Sequence, residues 1–399
     1  MSGLLLLEEA QARLLAAVEP LGAEVLPVAQ AVGRYLAQPV LARRTQPAAD
    51  LSAMDGYAMR ADDLAGPWQV VGESAAGHPY AGELAPGHAI RMSTGALMPQ
   101  GGGAVLLQEN ARREGDRLSL ANADGPTPRH VRRAGFDFAE GQALLAAGQR
   151  IEAPQVALAL MAGHEAVAVG RLPSLAVIDS GDELASPGGP VASHQIPASN
   201  GPMIEALCRP LVAQSHRIGP VADRLEALVQ AFDAAGDADV VVTSGGASVG
   251  DHDLVRPALE RWGATIDFWK VAIKPGKPLL VARKGRQLVI GLPGNPVSSY
   301  VTAYLFLLPV LRRLAGAATP LPLSAPMKLL APLPATGGRA EFDRATLEPL
   351  GVLPIAQTDS SALLALSRAQ ALIYRPAHAP VLHAGAVVPV YLLQNGGMA

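Results

Sequence analysis

Between residues 173 and 315, runs of β-formers alternate with stretches of helical period, and no other feature limits the fold of this chain as strongly. "SLAVIDS", "SHRIG" and "DVVVTS" read as strands, and "GPMIEALCRPLV", opened by Asn200, "DRLEALVQAFDAA" and "DLVRPALERWG" as helices. Strands this uniformly apolar must be covered on both faces. The alternation therefore predicts a mostly parallel, doubly wound α/β domain over 173–317. After "FWKVAI", the runs "PLLVAR" and "QLVIGL" flank a "KG" turn as a hairpin, and "VSSYVTAYLFLLPVLRRLAG" closes the region as a helix.

The flanking regions have a different texture. Residues 42–140 are dense in glycine and proline with short runs such as "WQVVGE" and "AVLLQE", the pattern of an inserted β-rich domain. Helical periodicity returns in 141–172, which is expected to pack with 1–41 as one interrupted N-terminal domain. Residues 318–399 hold proline-punctuated strands and read as a C-terminal β-barrel-like or sandwich domain. The class is thus multidomain α/β plus β, in line with about 100–200 residues per domain for a chain of 399.

Composition removes several function classes. A net charge of -3 offers no basic surplus for nucleic acid. The apolar stretch "YVTAYLFLLPVL" falls short of the roughly 20 residues of a membrane span. "MSGLLLLEEA" lacks both the basic start and the long apolar core of a signal peptide, so a cytoplasmic location is expected. Cys208 is the single cysteine and reads as a small apolar helix residue. The nine histidines are scattered without ligand spacing.

The chemistry-bearing stretches fall at strand ends, where open α/β sheets hold ligands. "TSGGASVG" (243–250) follows "DADVVV": Gly245, Gly246 and Gly250 leave backbone bare, and Ser244 and Ser248 offer hydroxyls. Amides at a following helix start favour an anion. Asp251 stands where a P-loop would carry lysine, so a triphosphate held in that manner is not expected. "GLPGNPVSS" is the second such end: Pro293 and Pro296 stiffen it, Gly294 opens it, and Asn295 or Ser298 is placed to cap the next helix. Between them, "FWKVAIKPGKP" carries Lys270, Lys274 and Lys277; an even separation on one strand would put Lys270 and Lys274 on the same face. Carboxylates stand nearby in sequence: Glu183 in "DSGDEL", Asp253 beyond the first loop, and Asp223, which with Glu226 also fits a capping box. Asp55 sits in the apolar "LSAMDGYAMR".

Taken together, "SAMDGYAMR", "IRMSTGALMPQGGGAVLLQE", "VRRAGFDFAEGQALLAAGQRI", "DSGDEL", "TSGGASVGDHD", "FWKVAIKPGKP" and "GLPGNPVSS" resemble the molybdopterin molybdotransferase family, the MoeA proteins and the gephyrin E domain. The resemblance runs over nearly the whole chain. It implies insertion of molybdenum from molybdate into adenylylated molybdopterin with release of AMP, supported by Mg²⁺. It also implies that the two loops hold the pterin and its pyrophosphate and that Lys270 and Lys274 face phosphate or molybdate. Asp55, Asp253, Glu183 and Asp223 match acidic positions of the family, with Asp253 and Asp55 as the metal-holding pair. Thr94 matches a threonine beside Asp55, and Arg344 and Ser360 match positions linked to molybdate or substrate. The family forms an elongated homodimer with a shared active site, and transient contact with the molybdopterin adenylyltransferase and apo-molybdoenzymes follows from its place in the pathway.

Three departures stand out: "DSGDEL" where "STGDEL" is usual, "IPASN" for "IYDSN", and "GDHD" for "GEAD" or "GEYD". None removes an expected acidic or lysine position. Rival readings are adenylylation of molybdopterin, a binding scaffold, and hydrolysis of a nucleotide pyrophosphate on the same α/β domain.

Overall fold

The computed structural model describes residues 4–245 and 254–393. Its centre is a six-stranded sheet in the order Gln214–Val221, Ser174–Ser180, Val240–Ser244, Gln287–Leu292, Pro278–Lys284, Thr265–Lys270. The first four are parallel and the last two run as an antiparallel hairpin and its neighbour. Alternate side chains explain the two layers. Leu175, Val177, Val240 and Val242 pack on the face carrying Asn200–Cys208 and the long helical stretch 296–314. Ala176, Ile178 and Val241 pack on the face carrying Leu225–Ala234 and Val255–Trp262. Period-two alternation with both faces apolar makes such strands read as continuous hydrophobic runs.

The 296–314 stretch is helical throughout but contains a π segment, Ala303–Leu307, just before Pro309. Proline has no N–H to give to the preceding turn, and a widened turn accommodates that.

The segment 1–41 divides. Leu7–Ala16 lies against the α/β unit, with Leu7, Ala10 and Leu14 in its core and Leu5 donating its N–H to the Lys270 carbonyl at 3.2 Å. The strand Ala23–Pro27 instead pairs with Ala166–Gly170, and Val40–Leu41 with Ala143–Leu145. Between these pairings lies a six-stranded sheet in the order Gly102–Leu107, Gly56–Arg60, His88–Met92, Trp68–Ser74, Arg117–Leu120, Ala111–Glu114. At the other end, Ala340–Glu348, Ala371–Arg375, Val387–Leu392 and Ser324–Lys328 form the C-terminal sheet, to which Gly351–Pro354 also pairs. Leu330 donates to Val352 at 2.9 Å, so this sheet curls back toward closure. Ile273–Lys274 leaves the α/β unit to pair in parallel with Ala340 and Glu341, joining the two sheets.

No helix is long and apolar enough to cross a membrane among the described residues.

Candidate active site

The strand order reverses around Ser174–Ser180, and three strand ends meet there. Asp179 lies opposite Ser244 in register, and Ser244 opposite Leu292. Gly245 has φ +100, and a Cβ placed on it would stand 2.5 Å from the Ser180 carbonyl oxygen. Only glycine meets both demands, the positive φ and the close backbone approach. Gly245 also donates its N–H to the Leu292 carbonyl at 3.3 Å, which holds the first loop against the Pro293–Asn295 turn.

Two cavities border the stretch 294–298: Gly294 and Pro296 line one, Val297 and Ser298 the other. The first is a slot of about 330 Å³, lined by Asp179, Ser180, Glu183, Asn200, Ser244 and Gly245 together with the apolar Leu184, Ile196, Pro197 and Leu363. The second is a cleft of about 740 Å³, whose charged lining is Lys274, Lys277, Arg339 and Arg344 against Glu341 and Asp343, with Ser298 and Ser360 beside them. Cations outnumber acids there, so the cleft suits an oxyanion.

The Ser360 loop is tied to the same stretch. Asn295 donates from Nδ2 to Ser360 Oγ at 3.0 Å, and Val297 donates its N–H to the Ser360 carbonyl at 3.0 Å. Asn295 is the residue before the helix Pro296–Thr302, but its side chain does not cap it, and neither does that of Ser298. The expected cap is replaced by a link to the C-terminal domain.

Arg344 is buried at 5% exposure and its guanidinium is committed to carbonyls: Nη1 to Ala362 at 3.1 Å, Nη2 to Gln357 at 2.6 Å and to Asp359 at 3.0 Å. It staples the loop that carries Ser360. Lys274 pairs with Glu341 at 3.3 Å. Lys270 ends the strand Thr265–Lys270, whereas Lys274 belongs to the C-terminal sheet. The two lysines therefore do not share a strand face as their spacing implied, because the chain changes sheets between them.

Asp223 does not cap its helix either. The helix begins at Leu225 with Arg224 before it, and the Asp223 N–H donates to Asp182 Oδ1 at 3.1 Å. Burial, with the negative charges of Asp182 and Glu183, pushes the Asp223 carboxyl above its ordinary range. Three carboxylates thus gather where the neighbouring strands Ser174–Ser180 and Gln214–Val221 end.

Asp55 stands apart on the inserted sheet, where its Oδ1 accepts from the Thr94 N–H at 2.7 Å and the Thr94 hydroxyl at 3.2 Å. Among the described residues, no hydrogen bond joins its side chain to the α/β loops. Gly246, Ser248, Gly250 and Asp253 lie outside the described residues. Cys208 is buried, which pushes its thiol up to about 12, and it serves as an apolar core residue.

Sequence reading passed over Asp179, Asn200 as a site residue, Glu341 and Asp343. Two gave a signal: Asp179 is a charged residue inside an otherwise apolar strand run, and Asn200 opens a helix directly after a short loop.

A third cavity of about 700 Å³ lies at the opposite, amino ends of the strands, between Arg171, Lys284, Arg286 and Asp233, Asp237, Asp239. Its charges balance, and none of the described residues of the strand-end loops lines it.

An α/β sheet that brings bare backbone, hydroxyls and a cationic cleft to its switch point defines a phosphate- and oxyanion-handling enzyme of the doubly wound class. The chain belongs to the MoeA family: it matches the MoeA N-terminal region (domain I and II) over residues 5–163, a probable molybdopterin binding domain over 176–313, and the MoeA C-terminal region (domain IV) over 326–393. It is 35% identical to the molybdopterin molybdenumtransferase of Haemophilus influenzae, covering 78% of each chain. To that of Bacillus subtilis it is 30% identical, covering 91% of this chain and 88% of the relative. The crystal structure of a molybdopterin biosynthesis moeA protein from Pyrococcus horikoshii OT3 superposes with a TM-score of 0.84 at 26% identity, over 98% of this chain and all of that one.

Proposed function

We propose that this chain is a molybdopterin molybdenumtransferase: it takes adenylylated molybdopterin and molybdate, inserts molybdenum into the dithiolene and releases AMP. The observation that carries the reading is the pair of cavities bordering the stretch 294–298, one a slot of bare backbone, hydroxyls and apolar side chains with the carboxylates Asp179 and Glu183 at its edge, the other cationic. The slot would take the pterin nucleotide, whose phosphates need close backbone approach at Gly245 and Gly294. The cleft would take the molybdate dianion between Lys274, Lys277, Arg339 and the Ser360 loop that Arg344 holds. Cleaving the pyrophosphate concentrates negative charge, which fixed cations and amides stabilise.

Mg²⁺ fits the chain's donors. Asp182, Glu183 and Asp223 gather at two neighbouring strand ends; burial first, and then the charges of Asp182 and Glu183, raises the Asp223 carboxyl, and a cation would relieve that second contribution. No group of three such side chains converges closely enough to cage an ion among the described residues. Mg²⁺ asks for less, since one or two carboxylates and several waters suffice. Glu183 and Asp223 would hold it, with Asp253 as the further acid of the family pattern. Bound there, Mg²⁺ would neutralise charge on the phosphates.

Asp55 has one carboxylate oxygen engaged by Thr94 and stays on an exposed surface. We assign it to a shared site, completed when a second copy of the chain brings its inserted domain to these loops in a homodimer. A cytoplasmic setting, with the adenylyltransferase supplying the substrate and apo-molybdoenzymes receiving the product, agrees with this chemistry.

The test is AMP release from adenylylated molybdopterin and Mg²⁺, with and without molybdate, counting molybdenum retained on the pterin. Release that requires molybdate and leaves one metal per pterin is expected. Release independent of molybdate would instead identify a pyrophosphate hydrolase.

A further inference from the structure

Asp179 is a carboxylate at 4% exposure and the single charged residue of the strand Ser174–Ser180. Burying it has a cost, visible in the carboxyl being held above its ordinary range by burial, with Glu205 adding to the shift and the Gly201 N–H and Arg217 opposing it. A buried charge persists where it has a specific partner. Its partner is the first turn of the helix Asn200–Cys208: the Gly201 N–H donates to Asp179 Oδ1 at 3.0 Å. Ser199, the residue before this helix, makes no side-chain cap. Early amides of a helix lack intrahelical acceptors, so the sheet supplies the cap that the sequence omits.

Two neighbouring observations make this contact more than a cap. A Cβ built on Gly201 would overlap the Asp179 carboxylate, and its three nearest atoms all belong to Asp179. The helix can approach the strand end this closely only because residue 201 is glycine. Next to it, Asn200 reaches the other way and donates from Nδ2 to the Gly294 carbonyl at 2.6 Å. Gly294 lies in the turn before the helix Pro296–Thr302, and Asp179, Asn200 and Gly294 all line the slot.

We infer that Asp179 is a positioning residue of the pterin-nucleotide slot: its carboxylate fixes the start of the Asn200–Cys208 helix, and through Asn200 it fixes the Gly294 carbonyl and hence the slot's inner wall. The usual serine at this position of "STGDEL" carries a single oxygen on a shorter side chain, so this wall is built differently here. The inference rests on the slot being the site of the pterin nucleotide. Nothing in it involves the cleft, which sets its signature: effects on one substrate only.

The experiment uses the full chain and two readouts. In steady-state AMP release, Asp179→Ala is expected to raise KM for adenylylated molybdopterin about tenfold, the size of one lost hydrogen bond. It should leave kcat and the KM for molybdate within about twofold, because the contacts it removes are made equally in ground and transition states. Asp179→Asn should restore most of the loss, since its amide oxygen still accepts the Gly201 N–H. Gly201→Ala should raise the same KM in the wild-type background and add nothing in the Asp179→Ala background, where the overlap is gone. Equilibrium dialysis of adenylylated molybdopterin, without molybdate or Mg²⁺, should give the same pattern in Kd. That readout needs no turnover: a wild type that releases no AMP would sink the transferase reading, while the dialysis pattern still decides the role of Asp179. Gly201→Ala acting equally in both backgrounds would overturn the inference. So would an Asp179→Ala effect on kcat or on molybdate.

Discussion

The slot and the cleft are lined by neighbours in sequence, Pro296 beside Val297 and Ser361 beside Ser360, yet they are built on opposite principles. In the slot, specificity comes from what is absent, side chains at Gly245 and Gly294, and from a buried carboxylate turned inward to hold the Gly201 N–H. In the cleft it comes from what is present, four cationic side chains and two acids. The first is therefore sensitive to volume and backbone conformation, the second to charge. A heterocycle on a pyrophosphate suits the slot, and a compact tetrahedral dianion suits the cleft.

The largest effect should come from Arg344, where the two principles meet. Its guanidinium satisfies three loop carbonyls from a position at 5% exposure. Arg344→Ala leaves those acceptors unpaired and should cost about 3 kcal/mol in chemical denaturation. It should also lower molybdate-dependent AMP release by about a hundredfold as the Ser360 loop loosens. Arg344→Lys should recover little, since an ammonium cannot span the three carbonyls.

Lys274 is expected to separate stability from rate. Its side chain is 51% exposed, so its pair with Glu341 contributes no more than about 1 kcal/mol to folding. Lys274→Ala should leave the unfolding midpoint nearly unchanged while reducing kcat/KM for molybdate by about a hundredfold. Glu341→Gln releases the lysine and should move molybdate KM the other way, by about threefold. In the slot, Gly245→Ala should do the converse. Strain at φ +100 and the approach to the Ser180 carbonyl predict a stability loss of about 2 kcal/mol. KM should rise for adenylylated molybdopterin and stay level for molybdate. Equal effects of Gly245→Ala on both substrates would dissolve the distinction between the two cavities.

Much of the slot was legible in the chain. "DVVVTSGG" and "VIGLPGN" place glycines where apolar strands end, and the parallel order follows from the alternation with helices. The cleft was harder to read because it is assembled across domains. Nothing local announces that the chain leaves one sheet between Lys270 and Lys274 to enter another, or that Asn295 reaches Ser360 instead of capping its own helix. Asp223 misled for a related reason. The capping-box pattern with Glu226 is a local signal, and a tertiary neighbour, Asp182, claimed the Asp223 amide instead. The N-terminal helix gave its amphipathic period but not its docking partner, which is the α/β unit.

The smallest expected effect tests the charge balance of the cleft itself. The Asp343 side chain accepts no hydrogen bond among the described residues, and its carboxyl is pushed above its ordinary value of 3.8, first by burial and then by Glu341, with Arg375, Lys274 and Arg344 opposing. The folded protein thus holds this proton more tightly than the unfolded chain. Stability must then fall as pH rises through the window between the ordinary and the raised value, and stay lower above it. Asp343→Asn removes the ionisation. The variant should melt slightly above wild type at neutral pH and level with it in acid, below the ordinary carboxylate range. Its KM for molybdate should also fall, because one of the two acids facing the dianion is gone. A variant that binds molybdate more weakly would mean that Asp343 contributes an acceptor to the site, and the cleft would then have to be read as a hydrogen-bonding pocket in place of a simple excess of positive charge.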